Sequence, residues 1–157
     1  MRCLFLLALL TTVSAHGQTD AVYINPSTLV QNPNYTQVVT LPACGLIFVS
    51  GQAGQRPDGT VISAEFDAQA AQALENLRLA LQAAGVTPAE IIKINTYIVD
   101  LPTHIDSYRT ARRSFFRGVA HPPASTTVGV PAIAAAGALI EIEAVAYKRP
   151  ARHVGKR

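Results

Sequence analysis

The chain has 157 residues, of which 49% are hydrophobic and 15% charged. This composition predicts one domain with a sizeable buried core and short extensions, and it excludes a string of several domains. The formal net charge of +3 comes from the ends of the chain, because residues 18–147 hold seven basic residues against ten acidic ones. A mildly acidic domain with a basic tail is not typical of a nucleic-acid-binding protein, so we expect no nucleic-acid partner.

Residues 1–17 have the pattern of a secretory signal peptide. A basic start at Arg2 precedes an apolar run, and small residues then offer a cleavage site after Ala15 or Gly17. The apolar run is too short to span a bilayer. We therefore expect a secreted or periplasmic protein that has no membrane contact once the signal peptide is removed. The alternative is a hydrophobic N-terminus that stays in the cytosol.

Removal of the signal peptide leaves Cys44 as the single cysteine, so no intrachain disulfide is possible. No basic neighbour in the sequence activates its thiol, and we expect a small buried side chain. Residues 148–157 carry five basic residues and are predicted to form a disordered tail. The domain itself is expected to span residues 20–147.

The first half of the domain predicts short strands at residues 20–24, 35–40 and 46–50, with a brief further strand at 61–62. The second and third of these are expected to form a hairpin. The third ends in Ser50-Gly51-Gln52. A glycine at the end of a strand indicates a bulge, or a place where a ligand or another chain approaches the backbone.

Two helices are predicted. The first covers residues 65–84, with Ser63 as its cap, apolar residues three or four apart, and Gly85 at its end. The second covers residues 104–117, with Thr103 as its cap. It carries a stripe of arginines, which is usually a solvated surface and alternatively an anion-binding one; the arginines are Arg109, Arg112, Arg113 and Arg117.

Longer strands are predicted at residues 91–99, 124–130 and 139–147. In the first of these, Ile92 is expected in the inward-facing set. In the last, Glu141 and Glu143 share one face because side chains alternate along a strand. The element order predicts an α+β fold, with one mixed β-sheet and both helices packed on one face. The other face keeps apolar residues, so we expect a second copy of the chain to cover it.

The chain resembles the RidA/YjgF family of imine and enamine deaminases from about residue 24 to residue 147. The markers that carry this resemblance are Tyr35, residues 49–52, Gln69, Leu74, Asn76, Leu77, Leu81, residues 83–85, residues 93–100, Pro123-Ala124 and residues 140–144. The resemblance implies a chorismate-mutase-like fold and a homotrimer with three clefts between subunits. It implies no metal and no organic cofactor.

The resemblance also implies site residues. Water attacks a small imino acid, and Glu141 is the catalytic residue that positions the water. Tyr35, Ser50, Gly51, Ser125 and Thr127 are the implied substrate-binding positions. In the family an arginine after Pro-Ala binds the substrate carboxylate with two bonds, and Ser125 stands there in this chain.

This departure predicts a poor deaminase that Ser125→Arg improves. Arg109 is a possible substitute if the second helix points it into the cleft. Three functions therefore stay open. The first is a 2-iminobutanoate/2-iminopropanoate deaminase-like hydrolase that releases ammonia. The second is a non-catalytic ligand-binding or chaperone-like trimer. The third is a ribonuclease or translation inhibitor.

Overall fold

A computed structural model describes residues 20–149, which form six strands and two α-helices. The helices are α1 (Phe66–Ala83) and α2 (Leu101–Phe115), and a short 3-10 helix covers Pro88–Glu90. The strands are β1 (Val22–Ile24), β2 (Val38–Leu41), β3 (Leu46–Ala53), β4 (Ile91–Val99), β5 (Ala124–Val130) and β6 (Ile140–Tyr147).

All six strands belong to one sheet in the order β1-β2-β3-β6-β4-β5. Every pair is antiparallel except β4 and β5, which are parallel. Parallel neighbours need a crossover connection, and α2 supplies it between β4 and β5. The last strand in sequence, β6, is thus inserted in the middle of the sheet. The predicted α+β fold with a mixed sheet is confirmed.

Both helices pack on the same face of the sheet. Helix α1 contacts β3 and β6, and α2 contacts β4 and β5. The apolar spacing of α1 buries Leu74, Leu77 and Leu81 against the inward side chains of the strands, as the sequence predicts. Removal of these side chains from water is the main driving force for this arrangement.

Two buried amides on α1 fix the loops around the site. The Nε2 of Gln69 donates to the carbonyl of Gly137, and its Oε1 accepts from the backbone N–H of Leu139 at 2.8 Å. The Nδ2 of Asn76 donates to the carbonyls of Ala53 and Gln55 at the end of β3. Buried amides of this kind are costly unless they are fully bonded, so each one specifies a single position for its loop.

The helix ends differ in part from the predictions. Helix α1 begins at Phe66, and Ser63 is not its cap, because the Ser63 hydroxyl bonds the backbone N–H of Glu65 in the preceding turn. Helix α2 begins at Leu101 rather than at residue 104, and its N-cap is Asp100 rather than Thr103. Pro102 lies in its first turn, where a proline costs no hydrogen bond. The predicted end of α1 is confirmed, since Gly85 follows the C-cap residue with a φ angle of 71°. Helix α2 ends at Phe115, before the predicted residue 117, and Gly118 lies in the turn that follows.

Three further predictions from the sequence are wrong. A shift of register between Ile91 and Lys93 buries Ile91 and leaves Ile92 47% exposed. Cys44 is exposed, because it lies in the tight turn between β2 and β3, where no other element covers it. The brief strand at residues 61–62 is a single bridge between Val61 and Gln55.

The predicted signal peptide and residues 150–157 of the predicted tail lie outside the described residues. The start of the tail is described, and the backbone N–H of Lys148 donates to the carbonyl of Gly45 at 2.8 Å. The chain is therefore held against the β2–β3 turn as far as Lys148. Among residues 20–149, neither helix combines the length and the hydropathy that a membrane span requires.

Candidate functional site

Glu141 lies in a cavity of about 300 Å³ that four separate parts of the chain form. Tyr35 comes from the segment before β2, Ser50 and Gly51 come from β3, and Glu141 comes from β6. The remaining wall includes residues 134 and 135 of the loop before β6. Four of the residues that the family resemblance implies are thus neighbours in one chain.

A β-bulge in β3 gives the cavity its shape. The pairing of β3 with β6 shifts between Val49 and Gln52, which places Ser50 and Gly51 in the bulge, as the sequence predicts. The Ser50 hydroxyl donates to the carbonyl of Thr36 at 2.6 Å, so the oxygen of Ser50 faces the cavity as an acceptor only.

Gly51 lets the Glu141 carboxylate lie directly against the backbone of β3. A β-carbon placed on Gly51 would overlap the Oε1 of Glu141. Glycine is needed at position 51 because the carboxylate approaches the backbone closely. Its φ angle does not require glycine, because Gly51 is not among the glycines with positive φ. Any side chain at position 51 would have to displace the carboxylate.

The Glu141 carboxylate is half-buried and has no hydrogen-bond partner among residues 20–149. Burial raises the pKa of its carboxyl group above the usual value, and repulsion from Glu143 raises that pKa further. A carboxylate without a partner and with a raised pKa is suited to accept a proton from a bound water molecule.

Glu143 lies on the same face of β6 but is held by two neighbours on β4. Its Oε1 accepts a hydrogen bond of 2.8 Å from the Nδ2 of Asn95 and one of 3.0 Å from the Tyr97 hydroxyl. Hydrogen bonding to Glu143, with a smaller effect of burial, raises the pKa of Tyr97. Glu143 is therefore a fixed acceptor, whereas Glu141 is free to bind water or substrate.

Sequence reasoning did not identify Asn95 and Tyr97 as site residues. The signal was present in the register, because Asn95 lies opposite Glu143 and Tyr97 opposite Glu141 in the antiparallel pair β4–β6. That register could not be known before β6 was placed beside β4, and these two strands are more than 40 residues apart in the chain.

Ser125 and Thr127 lie on a different part of the molecule. They belong to the edge strand β5, and they are in register with the buried residues Ile94 and Thr96, so both are on the helix side of the sheet. Neither residue lines the Glu141 cavity of its own chain. The implied residues therefore do not form one site within a single chain.

Arg109 is also remote from that cavity. It is exposed on α2, and its Nη1 lies 3.0 Å from the Oδ1 of Asp106. Within residues 20–149, no group of three or more His, Cys, Asp or Glu side chains is arranged to hold a metal ion.

Comparisons with known proteins identify the family of the chain. A sequence model of the family described as "Endoribonuclease L-PSP" matches residues 27–148. The chain is 31% identical over 115 residues to the 2-iminobutanoate/2-iminopropanoate deaminase of Salmonella typhimurium, and the match covers 73% of this chain and 88% of that protein. A RutC family protein of Aquifex aeolicus is 32% identical over 114 residues, with 73% and 88% covered.

Solved structures give the same result. The crystal structure of the YjgF gene product of Escherichia coli superposes with a TM-score of 0.74 at 29% identity, and covers 82% of this chain and 99% of its own. Escherichia coli TdcF with bound serine has the same TM-score and coverage at 28% identity. The fold, the cavity and these matches together show that this chain belongs to the RidA/YjgF family.

Proposed function

We propose that this protein is an exported RidA-like hydrolase that converts a small imine, or the enamine in equilibrium with it, to a carbonyl compound and ammonia. The observation that carries the proposal is the Glu141 carboxylate, half-buried and without a partner among the described residues, against Gly51 in the cavity. The similarity to the Salmonella typhimurium deaminase supports the choice of reaction.

The chemistry needs one group that can accept and return a proton. The imine reacts as its protonated iminium form. As the water oxygen bonds to the iminium carbon, Glu141 accepts a proton from the water and the C=N electrons move to nitrogen, which gives a neutral carbinolamine. Glu141 then returns that proton to nitrogen. As the C–N bond breaks and ammonia leaves, the hydroxyl group gives its proton to Glu141 and the carbonyl group forms, and the proton on Glu141 finally passes to the released ammonia. A positioned general base of this kind contributes about 10²- to 10⁴-fold to the rate.

The proposed active unit is a homotrimer with a cleft between neighbouring subunits. Its support is the sheet face that the helices leave uncovered, where Phe48, Val128 and Tyr147 are each about 40% exposed. Large exposed apolar side chains on one face favour burial by another chain. A neighbouring subunit would also bring a β5 edge, with Ser125 and Thr127, to the Glu141 cavity.

The test measures ammonia release from 2-iminopropanoate that an amino-acid oxidase generates in the assay. The wild-type protein is expected to accelerate ammonia release, and Glu141→Gln is expected to abolish the acceleration. Glu143→Gln is the matched control, because it changes the neighbouring carboxylate on the same face. Wild-type rates equal to the spontaneous rate would contradict the proposed reaction.

A non-catalytic ligand-binding trimer is the second candidate, and Ser125 is the observation that favours it. A hydrogen bond to a charged group contributes about 1.5–3 kcal/mol, against about 0.5–1.5 kcal/mol for a neutral one. Loss of the strand arginine without replacement would weaken carboxylate binding roughly tenfold to a hundredfold. Ligand binding without ammonia release would support this candidate. Ribonuclease activity is not proposed, because residues 18–147 are net acidic.

Export is part of the proposal and has its own test. Residues 1–17 have the basic start, apolar run and small residues of a secretory signal peptide. Fractionation of the source cells is expected to find the protein outside the cytoplasm, with its N-terminus at or near residue 16 or 18. A cytosolic protein that retains Met1 would contradict export but not the proposed reaction.

A further inference from the structure

Arg112 lies on α2 at the level of Ser125, the position where the family arginine is missing. Helix α2 runs antiparallel to β5, which two contacts show. At its start, Leu101 lies against Gly129, and further along the Tyr108 hydroxyl bonds Thr96 Oγ1, beside Thr127 on the next strand.

From Tyr108 to Arg112 is one helical turn, which is about 6 Å. From Thr127 back to Ser125 is two strand residues, which is about 6.6 Å and in the same direction. The Arg112 position on α2 is therefore level with Ser125 on β5, on the helix side of the sheet.

Arg112 contacts neighbouring aromatic side chains but has no carboxylate partner within residues 20–149. The guanidinium lies over the Phe116 ring, 5.1 Å from the centroid. Burial raises the pKa of Tyr108, and this effect is opposed by a hydrogen bond to Thr96, the nearby charge of Arg112, and hydrogen bonds to Thr127 and Arg112. Arg112 and Thr127 thus both lie beside the Tyr108 hydroxyl.

The Nε of Arg112 is buried and has no hydrogen-bond partner among residues 20–149. The ion pairs within those residues are Arg78 with Glu75 and Arg109 with Asp106. A buried N–H group without an acceptor is costly, because its hydrogen bond to water is lost and not replaced. An anionic ligand would supply the missing acceptors, and a planar carboxylate fits the fork of a guanidinium.

We propose that Arg112, with the Ser125 and Thr127 hydroxyls beside it, binds the carboxylate of the substrate. The inference rests on the proposed function, and it limits the substrates to small anions such as 2-imino and 2-oxo carboxylates. The arginine that the family resemblance implies at position 125 would lie on the strand, whereas in this proposal the positive charge comes from α2. A serine at position 125 leaves free the volume that a strand arginine would fill.

The first experiment measures binding without chemistry. The full chain is titrated by calorimetry with 2-oxobutanoate, and with 2-oxobutanamide as a neutral analogue of the same shape. Wild type is expected to bind the carboxylate at least tenfold more tightly than the amide. Arg112→Ala is expected to remove this preference, and Arg113→Ala, which changes an exposed arginine at the next position, is expected to keep it.

The second experiment moves the charge back to the strand and controls for damage to the fold. Arg112→Ala is expected to reduce the difference in log Kd between 2-oxobutanoate and 2-oxobutanamide. Adding Ser125→Arg to this variant is expected to restore at least half of the lost difference. In wild type, where the missing strand arginine taken alone predicts an improvement, this inference instead expects Ser125→Arg to alter affinity less than threefold. Arg112 already binds the carboxylate, and two guanidinium groups repel each other. A purely structural Arg112 would predict no such rescue.

The outcomes separate this inference from the proposed function. A carboxylate preference that survives Arg112→Ala, or a wild type that binds neither ligand, overturns the inference. Equal binding of inorganic phosphate and 2-oxobutanoate overturns the assignment to carboxylates. An Arg112-dependent preference in a protein that releases no ammonia supports the inference and contradicts the proposed reaction.

Discussion

The Tyr97 hydroxyl donates a hydrogen bond of 3.0 Å to Glu143, although Tyr97 is in register with Glu141. The bond crosses diagonally between β4 and β6, and Asn95 adds a second donor to the same oxygen of Glu143. Two glutamates on one strand face therefore have different surroundings. When the environments of two carboxyl groups differ in this way, their roles in catalysis are expected to differ as well.

Glu141→Gln is expected to lower kcat for ammonia release by about 10²- to 10⁴-fold, because the amide cannot accept a proton from water. Glu143→Gln is expected to lower kcat less than tenfold, since a glutamine oxygen can still accept bonds from Asn95 and Tyr97. Steady-state kinetics of both variants, with light scattering to confirm their assembly, decide the question. Equal losses in the two variants would contradict the assignment of Glu141 as the base.

Glu141→Gln is also expected to raise the melting temperature at neutral pH. The pKa of Glu141 is raised in the folded protein, so the folded state holds its proton more tightly than the unfolded state does. Above the folded pKa the ionised carboxylate lowers stability, and this loss disappears as the pH falls through the folded pKa towards the ordinary value of 4.5.

The measurement is the melting temperature of wild type and Glu141→Gln from pH 8 down to pH 4. The variant's advantage is expected to be largest at pH 7 to 8 and to shrink on acidification. Asp20→Asn, which changes an exposed acid that does not line the cavity, serves as the control. An advantage that grows as the pH falls would show that the carboxylate is stabilised by the fold.

Gly51→Ala is expected to leave the protein folded and to lower kcat at least tenfold. The added methyl group would overlap the end of the Glu141 side chain, which can rotate away, so the cost to folding is small and the base is misplaced. In a Glu141→Gln background, the same change is expected to have little further effect on activity, because the group it displaces has already lost its function. If the factors by which the two single substitutions lower kcat multiply in the double variant, Gly51 acts on activity through a group other than Glu141.

The main parts of the site were accessible from the sequence because they depend on local pattern. The alternation of β6 predicts Glu141 and Glu143 on one face, and the glycine at the end of β3 predicts the bulge and a close approach. The spacing of apolar residues likewise predicts α1 and its burial against the sheet.

The remainder depends on contacts between distant parts of the chain. The sequence shows four arginines at helical spacing in α2 and the turn after it, but it does not show which of them packs against the sheet. The position of Arg112 beside Tyr108 depends on how α2 lies across β4 and β5. The exposure of Cys44 depends on whether another element packs over the β2–β3 turn. The exposure of Ile92 depends on the register shift in the pairing of β4 with β6.

The last prediction concerns the open face of the sheet. Phe48 on β3 is 43% exposed and Val128 on β5 is 38% exposed, and both side chains are on the side that faces away from the helices. We expect the protein without residues 1–17 to have three times the protomer mass in light scattering at micromolar concentration. Phe48→Asp is expected to shift it towards monomer, because burial of an unpaired charge in an interface is costly.

Ala71→Glu is the matched control, since Ala71 is exposed on the opposite layer of the molecule, on α1. It adds a negative charge without touching the open face, and it is expected to remain trimeric. If the cleft lies between subunits, ammonia release by Phe48→Asp should fall in proportion to the fraction of monomer, and recover at higher protein concentration. A wild type that is monomeric would contradict the trimer and the shared cleft. A monomeric Phe48→Asp with full activity would instead show that one chain holds a complete site, and that Ser125 and Thr127 take no part in it.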